Sequence, residues 1–179
     1  MSAPPLPRDR PIPGSYWVRP GLLLAGEYPC PRLAGPERME AFLDAGIRSF
    51  VDLTDIEDPL QPYEGLALSL ADERSLEVRY RRMAIRDHDV PTVEHMRDVL
   101  AHIDAEIAAG RAVYVHCLGG IGRTGTVVGC WMVEHDGLTG AKALERIAAL
   151  RAASANNWWR SPETDDQCRF VETWQAAAP

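Results

Sequence analysis

Cys117 and Arg123 have five residues between them, Leu118-Gly119-Gly120-Ile121-Gly122, and are followed by Thr124-Gly125. Ahead of the cysteine, Arg111 to His116 (RAVYVH) is a short apolar run of the kind that forms a central buried strand. From about Gly122 to His135 the chain is apolar nearly all round, as a helix inside a core would be. A loop this short between strand and helix must curl back on itself, and its three glycines permit that backbone. Curled ahead of a helix, it turns its N–H groups inward and makes a nest for an anion. Arg123, in the first helical turn, offers a planar fork of donors for two phosphoryl oxygens. Cys117 lies at the bottom of the same cup, where the helix terminus and the guanidinium both favour its thiolate. A thiolate facing a bound phosphoryl group is an activated nucleophile. A buried, inert cysteine would leave the glycines and the arginine without a reason. A nucleotide-binding loop would need a Gly-Lys pair that this segment lacks.

The elements around the cup follow from the pattern of the rest of the chain. With 179 residues the chain is expected to be one domain, preceded by a proline-rich tail over residues 1–14 and spanning 15–179. An aromatic and aliphatic stretch from Tyr16 to Leu24 around Pro20-Gly21 reads as a hairpin. Residues 36–45 place Met39, Phe42 and Leu43 on one helical face and stop at Gly46. Ile47 to Leu53 reads as a strand, the acidic TDIEDP stretch as a loop, and residues 62–73 as a weakly marked helix. Glu77 to Ile85 reads as a second strand and Asp87 to Pro91 as a turn. Thr92 caps a helix that buries Val93, Met96, Val99, Leu100, Ile103 and Ile107 and ends at Gly110. Two more helices are expected near 138–153 and 163–176, the latter with Ser161 as N-cap and Pro162 at its first position. Trp158-Trp159 read as core cover, and Cys30, Cys130 and Cys168 as structural. Strands alternating with helices imply an α/β fold, a central mostly parallel sheet flanked by helices, with the phosphate-binding loop between strand and helix.

The charge balance narrows the partners. A net charge of −7 argues against nucleic acid, which needs a basic face to displace counterions, and against anionic membranes. No apolar run reaches the roughly 18 residues of a membrane span. The N-terminal residues lack the apolar core of a secretory signal. Four scattered cysteines with no Cys-x-x-Cys pair imply neither a zinc site nor a redox pair, and fit a cytoplasmic protein with reduced thiols. No metal, no other cofactor and no obligate partner is expected.

His116-Cys117-x5-Arg123-Thr124, with the run Gly120-Ile121-Gly122-Arg123-Thr124-Gly125, resembles the signature of the protein tyrosine and dual-specificity phosphatases. The resemblance is strong over residues 84–135 and weaker over the rest of 15–176. It implies that Cys117 forms a phosphocysteine intermediate and that Arg123, with the loop Leu118, Gly119, Gly120, Ile121 and Gly122, binds the phosphoryl group. It further implies that Thr124 stabilises the departing thiolate and that His116 orients the loop. The family's general acid lies on an upstream loop; Asp87 matches its place in Ala84-Ile85-Arg86-Asp87-His88-Asp89-Val90-Pro91, with Asp89 as the rival.

Ser161-Pro162-Glu163-Thr164-Asp165-Asp166-Gln167 resembles the Gln-Thr-x-x-Gln stretch of tyrosine-specific members, which positions the hydrolytic water. Gln167 matches it, and Glu163 replaces the first glutamine. The implied substrate is a phosphorylated protein or small phosphate monoester. The absence of lysine from the loop favours phosphotyrosine, with or without phosphoserine and phosphothreonine. Phosphoinositides or inositol phosphates are the alternative that Arg79, Arg81 and Arg82 keep open, and a phosphopeptide-binding module without turnover is the non-enzymatic one.

Overall fold

The computed structural model describes residues 10–30 and 36–176. Of the expected proline-rich tail, residues 1–9 lie outside the described residues; Ile12 is already buried, and the Pro13 carbonyl accepts from the Ala155 N–H at 2.9 Å. Strands β1 (Ser15–Arg19) and β2 (Leu23–Gly26) form the antiparallel hairpin read from the sequence. β3 (Ile47–Asp52), β4 (Arg79–Arg82) and β5 (Ala112–His116) complete a five-stranded sheet of order β1-β2-β5-β3-β4. β2, β5, β3 and β4 run parallel, so the sheet is mixed only at its β1 edge.

Side chains alternate across the sheet with the strand period of two. Phe50 and Tyr114 face α1 (Pro36–Asp44) and α2 (Glu64–Glu73) through Phe42, Met39 and Ala67. Val51, Val113 and Val115 face the opposite layer, built from α3 (Val93–Ala108), α4 (Gly122–Asp136), α5 (Gly140–Arg151) and α6 (Asp165–Glu172). α4 is buried over most of its length, as its all-round apolar sequence requires.

Three sequence expectations are corrected. Val93 is 47% exposed, because the first residue of α3 precedes the turn at which Met96 enters the core. α6 starts after Thr164, not after Ser161: Thr164 Oγ accepts from the Gln167 N–H, and the Gln167 side chain returns the bond in a capping box. Ser161 lies three residues ahead of that cap, and its hydroxyl instead donates to the Ile121 carbonyl at 2.7 Å. Trp158 and Trp159 do not cover core; they are 73% and 45% exposed and line a cleft between α5 and the α5–α6 segment.

Parallel pairing aligns Gly26 with His116, and Asp52 with both His116 and Arg82. The loops after β3, β4 and β5 therefore leave the sheet at one edge, the carboxyl ends of the strands, where open α/β sheets place their ligands.

Candidate active site

The loop after β5 is shaped by contacts from outside it. Gly120 has φ +68, and a Cβ there would lie 2.2 Å from the Gly26 carbonyl carbon, so the loop presses backbone to backbone against the end of β2. The Leu118 carbonyl accepts from the Tyr28 N–H at 2.9 Å, that of Gly119 from Asn156 Nδ2 at 2.8 Å, and that of Ile121 from Ser161 Oγ. In a trans peptide C=O and N–H point in opposite directions. With three carbonyls bound from outside, the N–H groups of Gly119, Gly120 and Gly122 face the other way, toward the concave side. Cys117, 3% exposed, begins this loop.

Arg123, on the first turn of α4, is 1% exposed. Nη1 donates to Asp58 Oδ2 at 2.7 Å and to the Ile85 carbonyl at 3.1 Å, and Nη2 to Asp58 Oδ1 at 3.2 Å. Asp87 Oδ1 lies 3.0 Å from Nη2, while Nε is buried with no protein partner. Burial works against the Arg123 charge, but the Asp58 hydrogen bonds and nearby anionic groups outweigh it and raise its pKa. Burial likewise pushes the Asp58 carboxyl up, and the donors from Arg123 and the Asp55 N–H overcome that and hold it below the usual carboxylate range. Asp58 was not singled out in the sequence; its only signal is the acidic loop that follows a central strand.

Asp87 and Asp89 flank His88, a non-glycine residue at φ 60, in the turn after β4. Their side chains part company there. Asp87 reaches Arg123 and also lies 3.3 Å from His88 Nδ1. Asp89 Oδ1 accepts from the Val90 N–H, and its carbonyl accepts from Gln167 Nε2 at 3.1 Å. Gln167 is fully buried, and its Oε1 accepts from the N–H groups of Glu163 and Thr164. It thus ties α6 to the Asp87–Asp89 turn, and it packs so close to Gly122 that a Cβ there would sit 2.8 Å from Oε1. Glu163 faces His88 Nε2 at 3.7 Å.

His116 is fully buried. Its Nδ1 lies 3.2 Å from the Cys117 carbonyl, which only accepts, so Nδ1 carries the proton; Nε2 then accepts from the Tyr63 hydroxyl at 2.6 Å. Burial lowers the His116 pKa and keeps the ring neutral. Thr124 Oγ1 is buried without a protein partner, a donor free for a group inside the cup. The mouth is a cavity of about 250 Å³ lined by Asp55, Glu57, Asp58, Arg86, Asp87 and Leu118.

Comparison with known proteins gives the class: the chain is a member of the protein tyrosine/dual-specificity phosphatase superfamily. Residues 29–137 match the family model described as a polymorphic toxin system DSP-PTPase phosphatase, and the chain belongs to that family. It is 32% identical over 92 residues to a phosphatidylglycerophosphate phosphatase of Arabidopsis thaliana, covering 51% of this chain and 40% of that one. It is 31% identical over 144 residues to dual specificity protein phosphatase 12 of Rattus norvegicus, covering 78% of this chain and 37% of the relative. The chain spans about half or less of the length of the curated relatives it matches. The fold matches the active form of Tk-PTP with TM-score 0.67 at 21% identity, over 89% of this chain and 95% of the other.

Proposed function

We propose that the protein hydrolyses phosphate monoesters, with phosphotyrosine in proteins as the principal substrate, through a phosphocysteine on Cys117. The observation that carries this reading is the buried Arg123 fork set behind a loop whose carbonyls are all held outward at Leu118, Gly119 and Ile121. Such a cup binds three equatorial oxygens and stabilises charge in an in-line transfer. The Cys117 thiolate forms the S–P bond as the P–O bond to the leaving group breaks, and Asp87 gives its proton to that oxygen. Water then attacks phosphorus, Asp87 takes its proton, and the S–P bond breaks with Thr124 Oγ1 donating to the returning thiolate. Asp87 is favoured over Asp89 as the acid because it alone of the two reaches Arg123. In the water step Gln167 would have to give up a bond to Asp89 or to the start of α6, with Glu163 beside it.

The lipid reading has in its favour the likeness to two phosphatidylglycerophosphate phosphatases of Arabidopsis thaliana. The mouth speaks against a polyanionic headgroup: among the described residues four carboxylates line it, with Arg86 the one cation. Arg79 turns to Glu77, and Arg82 lies 3.7 Å from Asp52. A cytoplasmic setting fits the proposed chemistry, which needs a reduced Cys117.

The test is hydrolysis of para-nitrophenyl phosphate, in EDTA, by wild type and Cys117→Ser, followed by a phosphotyrosine peptide against phosphatidylglycerophosphate vesicles. The expected result is turnover in EDTA that falls to background in the variant while phosphate binding persists. Turnover that survives Cys117→Ser overturns the cysteine mechanism, and a clear preference for the vesicles overturns the protein substrate.

A further inference from the structure

The cup is gripped from behind by the segment joining α5 to α6. Asn156 Nδ2 donates to the Gly119 carbonyl at 2.8 Å. Arg151, the last residue of α5 and 3% exposed, donates from Nη2 to both the Asn156 carbonyl, at 3.0 Å, and Asn156 Oδ1, at 3.1 Å. Its Nη1 donates to the Trp159 carbonyl at 2.8 Å. A guanidinium has donors only, so the amide atom facing it must be oxygen, and the Asn156 NH₂ must face Gly119. Arg151 therefore settles an amide orientation that geometry alone would leave open.

The tie falls where the loop is least able to hold itself. Gly119 and Gly120 are adjacent, and glycine backbone has the widest conformational freedom. Tyr28 fixes the peptide before them, and Ser161 the one between Ile121 and Gly122. Asn156 holds the Gly119–Gly120 peptide itself. With that carbonyl held outward, the Gly120 N–H faces the concave side. Burying a guanidinium is costly, and burial depresses the Arg151 pKa. That cost is spent here on three acceptors in one short segment.

We infer that Arg151 and Asn156 are positioning residues for the phosphoryl site: Arg151 orients the Asn156 amide, and Asn156 aims the Gly120 N–H at the bound phosphoryl group. This rests on reading the Cys117 loop as a phosphoryl cup. Neither residue touches substrate; both act through the Gly119–Gly120 peptide.

Asn156→Ala and Asn156→Asp separate aim from mere attachment. Aspartate keeps an acceptor for Arg151 but has no donor for Gly119, and alanine has neither. In both variants the dissociation constant for inorganic phosphate is expected to rise, and kcat/KM for para-nitrophenyl phosphate to fall, by about 10–100-fold, somewhat less than deletion of a direct donor costs. The melting temperature of Asn156→Asp is expected to stay near that of wild type. If both variants bind phosphate and turn over within twofold of wild type, the tie serves stability alone and the inference is overturned. Should Asn156→Ala not fold, wild type carries the test by itself: the Gly120 amide proton must shift when inorganic phosphate is added, and an unmoved resonance overturns the inference. If wild type binds phosphate but turns over no aryl phosphate, the phosphatase reading fails, while the comparison of phosphate affinities still decides the role of Asn156.

Discussion

Asp87 and Asp89 differ by two positions and face different partners, and the proposed mechanism gives them different tasks. Asp87 lies at Arg123, while Asp89 offers its carbonyl to Gln167 and keeps its carboxylate on its own turn. A general acid contributes about 10²–10⁴-fold. Asp87→Ala is therefore expected to lower kcat on a substrate with a poor leaving group by that range and to remove the falling limb of the rate–pH profile at higher pH. Asp89→Ala should keep that limb; pH profiles of the two variants check the assignment, and the opposite pattern would exchange the roles. The sequence made Cys117, Arg123 and Thr124 legible because all three lie in one strand–loop–helix segment whose spacing is itself the signal. Asp58, Tyr63 and Asn156 were not legible. Each reaches the site from a separate loop or helix, at 65, 53 and 37 residues from its partner, and only the fold brings such pairs together.

At the scale of elements, the loop between β5 and α4 depends on a close approach that only one residue type permits. Gly120 combines a left-handed φ of +68 with contact to the Gly26 carbonyl at 2.4 Å from the position of a Cβ. Gly120→Ala is expected to destabilise the fold by about 2–5 kcal/mol through strain and overpacking together, and chemical denaturation of the variant measures it. Every helix and strand of the described residues was legible in outline, α2 only weakly, because apolar periodicity and glycine stops carry most of that information locally. The errors fall at the start of α3 and in the segment between α5 and α6. Ser161-Pro162 has the composition of a helix start, but the Ser161 hydroxyl donates to the Ile121 carbonyl and the helix is capped three residues later. Thr164-Asp165-Asp166-Gln167 has the spacing of a capping box, and that stronger local signal sets the start of α6.

For the molecule as a whole, the sheet divides two cores, and the buried titratable groups make its stability depend on pH. Burial lowers the His116 pKa, and burial with the Arg81 charge lowers that of His102. As pH falls through the ordinary histidine value of 6.5, the unfolded chain takes up these protons before the folded one does, so stability drops until the lowered folded values are reached. Asp58, held low by Arg123, adds a further loss below its ordinary value of 3.8. The melting temperature is expected to be highest near neutrality and to decline by about pH 5.5, with a shallower decline in His116→Gln; scanning calorimetry across that range checks it.

Arg123 carries two carboxylates, Asp58 and Asp87. The guanidinium edge that an incoming phosphoryl group would use at Nη2 is already taken by Asp87. In the proposed reaction entry is therefore an anion exchange, in which a weakly held bystander such as chloride or sulfate must compete with a tethered carboxylate for the same donors. A dianionic monoester that also gains the loop N–H groups can displace it. In the proposed reaction the same event that loads the cup releases Asp87 from its counter-ion and frees it to meet the leaving oxygen, so arming the acid and admitting the substrate become one step.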